Sequence, residues 1–344
     1  MNILKTALRT AAAAAIIAGT TVTAYAAEVT LTMHQFLPPQ ANVPRDILDV
    51  WAKKIEEESN GRIAVEHYAS MSLGGKPPEL IGQLEDGIAD IVWTVAGYTP
   101  GRFPQAEVFE LPFMMSDAEA TSRAYWEYAE ANMMDKDYAP FHPIALWVHG
   151  PGLIHSKEPI LSPTDLNGVK LRAPTRVTNK MFSEMGATPV GMPVPAVPEA
   201  LSKGVIDATV IPWEVTGALK VPELVHNHTT FPGASLYTTA FIFAMNKEKY
   251  ESLPDDLKAV IDNNSGADVS AWAGKTMQAA DEPSYELAKS LGNNIIELSA
   301  DQIQAWKDAA ASQETDWVEE MNGKGFDGQA LLDQAKALIK KDSM

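Results

Sequence analysis

The sequence predicts an α/β protein built as two domains. The chain has 344 residues, of which 46% are hydrophobic and 21% are charged, which is enough for two buried cores. The first hundred residues alternate strand and helix patterns in the order β-α-β-α-β, which is typical of a mostly parallel sheet covered on both faces. A sharp break at residues 149–152 (HGPG) then separates this run from a second series of α/β units.

The amino terminus has the pattern of an export signal. Lys5 and Arg9 precede an apolar run over residues 11–19, and Ala24-Tyr25-Ala26 matches the small-x-small pattern of a cleavage site. The run is too short to span a membrane, and no later run approaches the ~20 apolar residues that a spanning helix needs. We therefore expect residues 1–26 to be a signal peptide and the mature protein to be soluble and exported.

Charge and cysteine content exclude several classes of partner. The formal net charge is −18, and loss of Lys5 and Arg9 with the signal makes it more negative still. Such a surface does not suit nucleic acid or anionic lipid headgroups, which attract basic patches. The chain has no cysteine. Disulfides, thiolate metal sites and a cysteine nucleophile are therefore excluded, and a cysteine-free exported protein indicates a bacterial periplasm.

The first domain is predicted from alternating and apolar runs between turn signals. Asn60-Gly61 ends the first helix, because glycine accepts the left-handed conformation at a helix stop. Ligands of open α/β sheets bind at the carboxyl ends of strands, so Phe36 and Tyr98 are candidate pocket residues, as is His149. The predicted strands are residues 28–33, 62–68, 89–95 and 143–148, and the predicted helices are residues 44–59, 77–85 and 118–135.

The second domain is predicted to begin after residue 152. Residues 221–230 are expected to be connecting structure, and residues 236–245 a long apolar strand that crosses back between the domains. Tyr237, near its start, is a further pocket candidate from position alone. The predicted strands are residues 153–156, 169–172, 208–211 and 294–297, and the predicted helices are residues 179–185, 197–202, 247–263, 265–291, 300–322 and 328–341.

Arg172 is the first candidate binding residue. It stands at the end of the apolar strand Val169–Arg172, where Ala173-Pro174 turns the chain away. A guanidinium is a planar fork that matches a carboxylate, and one charge-assisted hydrogen bond contributes ~1.5–3 kcal/mol. The alternative is a surface arginine paired with a nearby acid such as Asp165.

Trp213 and Glu214 follow a second strand end. Trp213 could stack on a ligand, or it could be ordinary core filling. Glu214 could bond a ligand hydroxyl, or it could cap a helix that starts at Val215, which is the commoner role of such a residue. The two strand ends together suggest a cation and an aromatic face around one small acid.

Patterns of catalysis are absent from the sequence. There is no Gly-x-Ser-x-Gly elbow, no His-Glu-x-x-His and no glycine-rich phosphate loop. The pair His226 and His228 suggests metal only weakly, because no third ligand can be identified, and a solvated loop is the favoured interpretation. No cofactor is expected.

The residues together resemble a known family. The segment GVKLRAP…MFSEMGATPVGMPVPAVPEALSKGVIDA, with SNGRIAVEHYASMSLGG, LEDGIADIVW, PGRFPQAEVFELPF and AMNKEKYESLPDDLKAVI, is similar to the extracytoplasmic solute-binding subunits of tripartite ATP-independent periplasmic (TRAP) transporters. The similarity is to the dicarboxylate-binding (DctP-like) type and covers nearly the whole mature chain. No single motif decides it; their order and spacing do.

The resemblance implies a fold, a role and a binding residue. The implied fold is the two-domain periplasmic solute-binding fold (type II-like), with crossing hinge strands and a long spanning helix at residues 265–291. Its expected domains are residues 27–149 with 239–277, and residues 150–238 with 278–344. Arg172 matches the family arginine that binds the substrate carboxylate, and the implied partners are a small organic acid and the TRAP membrane permease subunits.

Two departures from the family pattern narrow the expected ligand. A second basic residue, common after the first hinge strand, is replaced by His149-Gly150-Pro151-Gly152, and the polar Gln-Glu-Asn-Pro motif by Ile211-Pro212-Trp213-Glu214. A monocarboxylate with an aromatic, keto or hydroxy body fits these changes best. A periplasmic enzyme that uses Glu214 and a histidine, and a binding protein that reports to a sensor, remain the alternatives.

Overall fold

Two β-sheets with helices packed around them organise the protein. A computed structural model describes residues 27–343, and the predicted signal peptide lies outside the described residues. The strands are β1 (Val29–His34), β2 (Ile63–Tyr68), β3 (Ile91–Val95), β4 (Phe141–Val148), β5 (Leu153–Ser156), β6 (Lys170–Ala173), β7 (Thr188–Gly191), β8 (Ala208–Ile211), β9 (Asn227–Thr230), β10 (Ala240–Asn246) and β11 (Asn294–Glu297).

The helices lie between and after these strands. They are α1 (Asp49–Glu58), α2 (Leu80–Glu85), α3 (Ala118–Asn132), α4 (Arg176–Glu184), α5 (Val197–Ser202), α6 (Trp213–Thr216), α7 (Lys247–Glu251), α8 (Asp255–Asp262), α9 (Ala267–Ala279), α10 (Asp281–Ser290), α11 (Ala300–Ala309), α12 (Ser312–Gly323) and α13 (Gly328–Asp342). None of the helices within residues 27–343 has both the length and the hydropathy to cross a membrane.

The first sheet has the order β2-β1-β3-β10-β4. Strands β1, β2 and β3 are parallel, whereas β10 lies antiparallel between β3 and β4, pairing Phe241 with Val95 on one side and Trp147 on the other. Every residue of β3 and β10 is buried, as expected for central strands that are covered on both faces. Because β1 and β3 are parallel, their carboxyl ends meet at one edge of the sheet.

The second sheet has the order β11-β9-β5-β8-β6-β7. Its strands β6 and β8 are parallel, with Arg172 opposite Thr209, and β7 extends the sheet beyond β6. The mixed α/β architecture with two sheets confirms the predicted fold class. The structure also shows what the sequence pattern missed: β7 contains Pro189 and Gly191, which are typical of turns, and β9 (NHTT) has no apolar residue.

The predicted long helix at residues 265–291 is α9 followed directly by α10. Ala280, a turn residue with φ −81° and ψ −2°, joins the two helices. The predicted strand at residues 236–245 is shorter than expected. Pairing with β3 and β4 begins at Ala240, and the preceding residues form the connection from the second sheet to the first.

The predicted domain boundaries need one correction at the carboxyl terminus. Residues 278–344 were expected in the second domain, and α10, β11 and α11 do lie there: α10 packs against α6, β11 pairs with β9, and α11 packs through Trp306. Helix α13 instead packs against α3 beside the first sheet. Helix α12 lies between the two, since it packs against α13 and its Glu320 accepts hydrogen bonds from Arg176 on α4. Amphipathic periodicity identifies such helices without showing which sheet they cover.

Candidate ligand-binding site

A closed cavity lies between the two sheets. It contains about 380 Å³ of space that is free of protein atoms. The first sheet, the second sheet and the crossing segments all contribute to its walls. The lining residues are Phe36, Leu37, Trp93, Val95, Tyr98, His149, Arg172, Pro174, Val194, Ile211, Pro212, Glu214, Val215, Tyr237, Thr239, Phe241 and Met277.

Arg172 reaches the cavity because of how β6 ends. The strand stops at Ala173, and Pro174 cannot donate a further sheet hydrogen bond. Thr175 then caps α4 by accepting a hydrogen bond from the Thr178 N–H. The turn places Arg172 at the carboxyl edge of the second sheet, where it is only 1% exposed.

The Arg172 guanidinium is oriented by the backbone and has no anionic partner among residues 27–343. Its Nε donates to the Met192 carbonyl at 2.9 Å, and its Nη1 donates to the Val210 carbonyl at 3.1 Å. In the described part of the chain, its Nη2 is buried without a hydrogen-bond partner. A buried charge in this state is costly unless an anion joins it.

The surface alternative for Arg172 is wrong. Asp165, the acid proposed to pair with it, instead accepts hydrogen bonds from the backbone N–H groups of Leu161 and Ser162 in its own turn. These hydrogen bonds lower the pKa of Asp165, against the raising effect of desolvation. Neighbouring turn residues thus satisfy the carboxylate locally, and Arg172 stays in the cavity wall.

Aromatic rings form the first-sheet wall. Phe36 stacks on Trp93 with ring centroids 4.7 Å apart, and Tyr98 lies tilted against Phe36 at 5.6 Å. Phe241 also stacks on Trp93, with ring centroids 5.1 Å apart. Stacked and tilted rings at these distances pack favourably and leave little conformational freedom. The wall is therefore a rigid, flat, apolar surface.

Tyr98 and Tyr237 add two hydroxyl groups to the cavity. The Tyr98 hydroxyl accepts a hydrogen bond from the Val194 N–H at 2.8 Å, which ties the first-sheet wall to a loop of the second sheet. Burial raises the pKa of Tyr98, and the nearby Arg172 charge partly offsets that rise. Tyr237 is held by close packing: a Cβ on Gly152 would come within 2.2 Å of its ring. Only glycine fits there.

His149 contributes a neutral imidazole. Its Nδ1 donates to the Gly150 carbonyl at 2.5 Å, so the ring is oriented by the break after β4. Burial, and secondarily the Arg172 charge, lowers the pKa of His149 to about 4. At neutral pH it therefore adds no second positive charge to the cavity.

Glu214 lines the cavity, but it is not a helix cap. The one-turn helix α6 starts at Trp213, two residues earlier than expected, so Glu214 lies inside it. Its backbone N–H donates to the Asp281 carboxylate at 2.8 Å, which gives the capping role to Asp281 on α10. Burial, and then the nearby Asp281 charge, raises the pKa of Glu214 well above its ordinary value.

Trp213 lies outside the cavity lining, in a separate cluster. Its ring packs edge-on against His155 at 5.1 Å and Tyr285 at 5.6 Å, beside Leu153 and Ala288. The stacking role expected for Trp213 does not fit this position, and core filling does. The turn at Pro212 brings Pro212 and Glu214 to the cavity and rotates the residue between them away.

The solvated-loop interpretation of the two histidines fits His226, which is exposed and precedes β9, but it is wrong for His228. His228 lies in β9, fully buried, and its Nδ1 is 2.7 Å from Nδ1 of His155. His155 donates a hydrogen bond from Nε2 to the Ile211 carbonyl at 3.2 Å, so its Nδ1 accepts a hydrogen bond from the Nδ1–H of His228. Burial lowers the pKa of both rings, to about 4 for His228.

The arrangement has the chemistry of binding. Across residues 27–343, no group of three or more histidine, aspartate or glutamate side chains is placed to hold a metal ion. No hydrogen bond joins His149 to Glu214 in the part of the chain that the structure describes, although both line the cavity. What the cavity offers is one oriented cation, flat apolar walls and one buried carboxyl group.

Six of the seven predicted site residues line this cavity: Phe36, Tyr98, His149, Arg172, Glu214 and Tyr237. Phe241, Ile211 and Met277 were not identified from the sequence. Phe241 lies within a strand that is buried on both faces, where the pattern does not distinguish the face toward a cavity from the face toward a core. Met277 comes from α9, far along the chain.

Comparison with protein families finds one matching model. Residues 34–320 match the model described as bacterial extracellular solute-binding protein, family 7. Among curated relatives, the ectoine-binding periplasmic protein TeaA of Halomonas elongata is 28% identical over 311 residues, covering 86% of this chain and 87% of that protein.

Comparison with solved structures finds nearer relatives. A TRAP solute-binding protein from Rhodoferax ferrireducens, in complex with copurified benzoate, is 49% identical with a TM-score of 0.90, covering 91% of this chain and 98% of that one. A marine metagenome TRAP solute-binding protein specific for aromatic acid ligands, co-crystallised with 3-hydroxybenzoate, is also 49% identical with a TM-score of 0.90, covering 93% and 100%. These proteins are binding components of transporters.

Proposed function

The chain belongs to family 7 of the bacterial extracellular solute-binding proteins, and we propose that it captures an aromatic monocarboxylate for a TRAP transporter. Arg172 would bind the carboxylate, and the stacked rings of the first sheet would cover the aromatic body. The closed protein would then deliver the acid to the membrane permease subunits. The names of the two structures at 49% identity, which report benzoate and aromatic acids, support this ligand class.

The buried guanidinium of Arg172 carries the proposal. It is 1% exposed, two of its nitrogens are held by backbone carbonyls, and Nη2 has no partner among the described residues. The oriented guanidinium is ready to bind an anion, because little side-chain entropy remains to be lost. A bound carboxylate would neutralise the charge and satisfy the free N–H groups.

The number of cations limits the ligand to one carboxylate. Arg172 is the only lysine or arginine among the residues that line the cavity in the described chain, and His149 is kept neutral by its lowered pKa. A dicarboxylate would bury its second charge without a partner, at a cost of several kcal/mol (roughly 3–5). The flat wall of Phe36, Trp93 and Phe241 suits an aromatic body.

Ligand entry requires the two sheets to move apart. The lining residues come from both sheets and are nearly all buried, so the cavity is closed to solvent in this conformation. Arg176, at the start of α4, donates to Glu107 beside the first sheet and to Glu320 on α12. A ligand that contacts both walls would favour the closed state through its greater affinity for it.

The proposed function also implies that the protein is periplasmic and that it binds its ligand without converting it. Two curated relatives, TeaA of Halomonas elongata and the C4-dicarboxylate-binding protein DctP of Rhodobacter capsulatus, are named periplasmic binding proteins, and the signal pattern at residues 1–26 supports export of this chain to the periplasm. An enzyme would need an acid and a base that cooperate on the substrate, and no hydrogen bond links Glu214 to His149 across the described cavity. Capture without turnover is therefore the function that we propose.

A thermal-shift screen of small carboxylates tests the ligand class. At a free ligand concentration of 100 times Kd, binding stabilises the folded protein by ~2.7 kcal/mol, which raises Tm measurably. Benzoates should raise Tm, whereas succinate and neutral benzamide should not. The eluted benzoate, analysed by chromatography after incubation, should be unchanged. A shift with succinate alone, or conversion of benzoate, would contradict the proposal.

A further inference from the structure

Glu214 gives the cavity a buried carboxyl group in addition to the carboxylate site at Arg172. Its side chain is 6% exposed and lines the cavity, and its Oε2 has no hydrogen-bond partner within residues 27–343. Most of the other lining groups near it, such as Ile211, Val215 and Met277, are apolar. A buried carboxyl group without a partner costs free energy, and a hydrogen bond from the ligand would recover it.

The position of Glu214 is fixed from outside the cavity. The Asp281 carboxylate accepts its backbone N–H, and Ser284 donates a hydrogen bond to its carbonyl, both from α10. The side chain is thus held on α6 by backbone contacts that leave the carboxyl group itself free. A buried polar group held at a cavity wall without a protein partner is a common arrangement for ligand specificity.

Charge balance in the cavity favours a neutral Glu214. The ligand carboxylate and Arg172 together are neutral, so an ionised Glu214 would leave one net negative charge in an apolar space. Burial and the neighbouring Asp281 both raise the pKa of Glu214, which agrees with the protonated form. A protonated carboxyl group has both a hydroxyl donor and a carbonyl acceptor.

We propose that Glu214 binds a hydroxyl group on the ring of the captured acid, so that hydroxylated benzoates are preferred over benzoates with an apolar group of similar size. The proposal rests on the proposed function, since it assigns the carboxylate end of the ligand to Arg172. A ring hydroxyl donates to the Glu214 carbonyl oxygen and accepts from its O–H. A ring methyl group of similar volume leaves the carboxyl group unpartnered.

The size of the preference follows from one recovered hydrogen bond. A neutral hydrogen bond in a buried site changes an equilibrium constant by about tenfold, with a wider spread where an unpartnered group is left behind. We therefore expect 3- or 4-hydroxybenzoate to bind the parent protein about ten times more tightly than the matching methylbenzoate. Comparing the two isomers identifies which ring position faces Glu214.

Isothermal titration of three variants with these four acids tests the assignment. Glu214→Gln keeps a neutral donor and acceptor and should retain most of the hydroxyl preference. Glu214→Leu removes both; methylbenzoates should bind more tightly, hydroxybenzoates less tightly, and the ratio should fall to about one. Glu223→Leu removes an exposed carboxylate that does not line the cavity, and this variant should bind the four acids as the parent does.

The outcomes separate this inference from the proposed function. A hydroxyl preference that disappears in Glu214→Leu and persists in Glu214→Gln supports it. Binding of aromatic acids with no preference for either hydroxybenzoate, or with a preference that survives in Glu214→Leu, overturns the role of Glu214 and leaves the proposed function standing. Failure of all four acids to bind the parent contradicts the proposed function, and the inference with it.

Discussion

Replacing Arg172 tests the binding mechanism at its most sensitive point. Arg172→Met keeps most of the side-chain volume and removes the charge and all guanidinium donors. The Arg172 side chain is 1% exposed and is held by two backbone carbonyls. No other lysine or arginine of the described chain lines the cavity, so no second cation can replace it. The ligand carboxylate would then be buried without a counterion.

The expected loss follows from removing one partner of a buried pair. Such a change costs about 3–5 kcal/mol, and each ~1.4 kcal/mol is tenfold in Kd, so benzoate should bind roughly a hundredfold to several thousandfold more weakly. Arg172→Lys keeps a charge but loses the planar fork, and its loss should be intermediate. Isothermal titration measures both.

Two controls make the result interpretable. Arg45 is exposed and pairs with the adjacent Asp46, so Arg45→Met removes an arginine without touching the cavity and should bind benzoate as the parent does. Circular dichroism should show that Arg172→Met is folded without ligand. Binding of benzoate to folded Arg172→Met within threefold of the parent would show that Arg172 does not bind the carboxylate.

Three further predictions concern contacts around the site. Arg176→Met leaves Glu107 beside the first sheet without its cation; it should weaken benzoate binding several-fold by disfavouring closure, and an unchanged Kd in titration would contradict this. Trp213→Phe should lower the free energy of unfolding by about 1–2 kcal/mol and leave Kd within twofold, because the ring lies in a core; a tenfold loss of affinity would place it in the site. Burial lowers the pKa of His228 to about 4 in the folded protein, below its ordinary 6.5. As pH falls, the unfolded chain therefore binds a proton at this ring before the folded chain does. Between pH 6.5 and pH 4 this difference lowers the free energy of unfolding by up to about 3 kcal/mol. Urea denaturation of parent and His228→Gln at pH 7 and pH 4.5 should show the larger loss in the parent, and equal losses would contradict the assignment.

The sequence was sufficient for the architecture because the relevant signals are local. Alternating and apolar runs predicted β1 to β4 and most helices within a few residues. Arg172 could be predicted because its type, its strand-end position and the following Pro174 all point to the same edge of a sheet. At Arg172, the chemistry of the side chain and its position in the fold therefore lead to the same prediction.

The errors arose where the answer depends on rotation or on distant packing. Trp213 and Glu214 are adjacent, and only the geometry of the turn at Pro212 decides which one faces the cavity. The buried His155–His228 pair joins residues 73 positions apart, so no local pattern announces it. Helix α13 looks like any amphipathic helix, and its partner α3 is chosen by the path of the whole chain.

A crystal structure of the protein grown with benzoate would show directly whether Arg172 holds the carboxylate. We expect one benzoate between the two sheets, with a carboxylate oxygen within hydrogen-bond distance of Arg172 Nη2 (roughly 2.7–2.9 Å) and the ring against Phe36 and Trp93. A benzoate whose carboxylate contacts other residues, while Arg172 Nη2 remains without a partner, would contradict it.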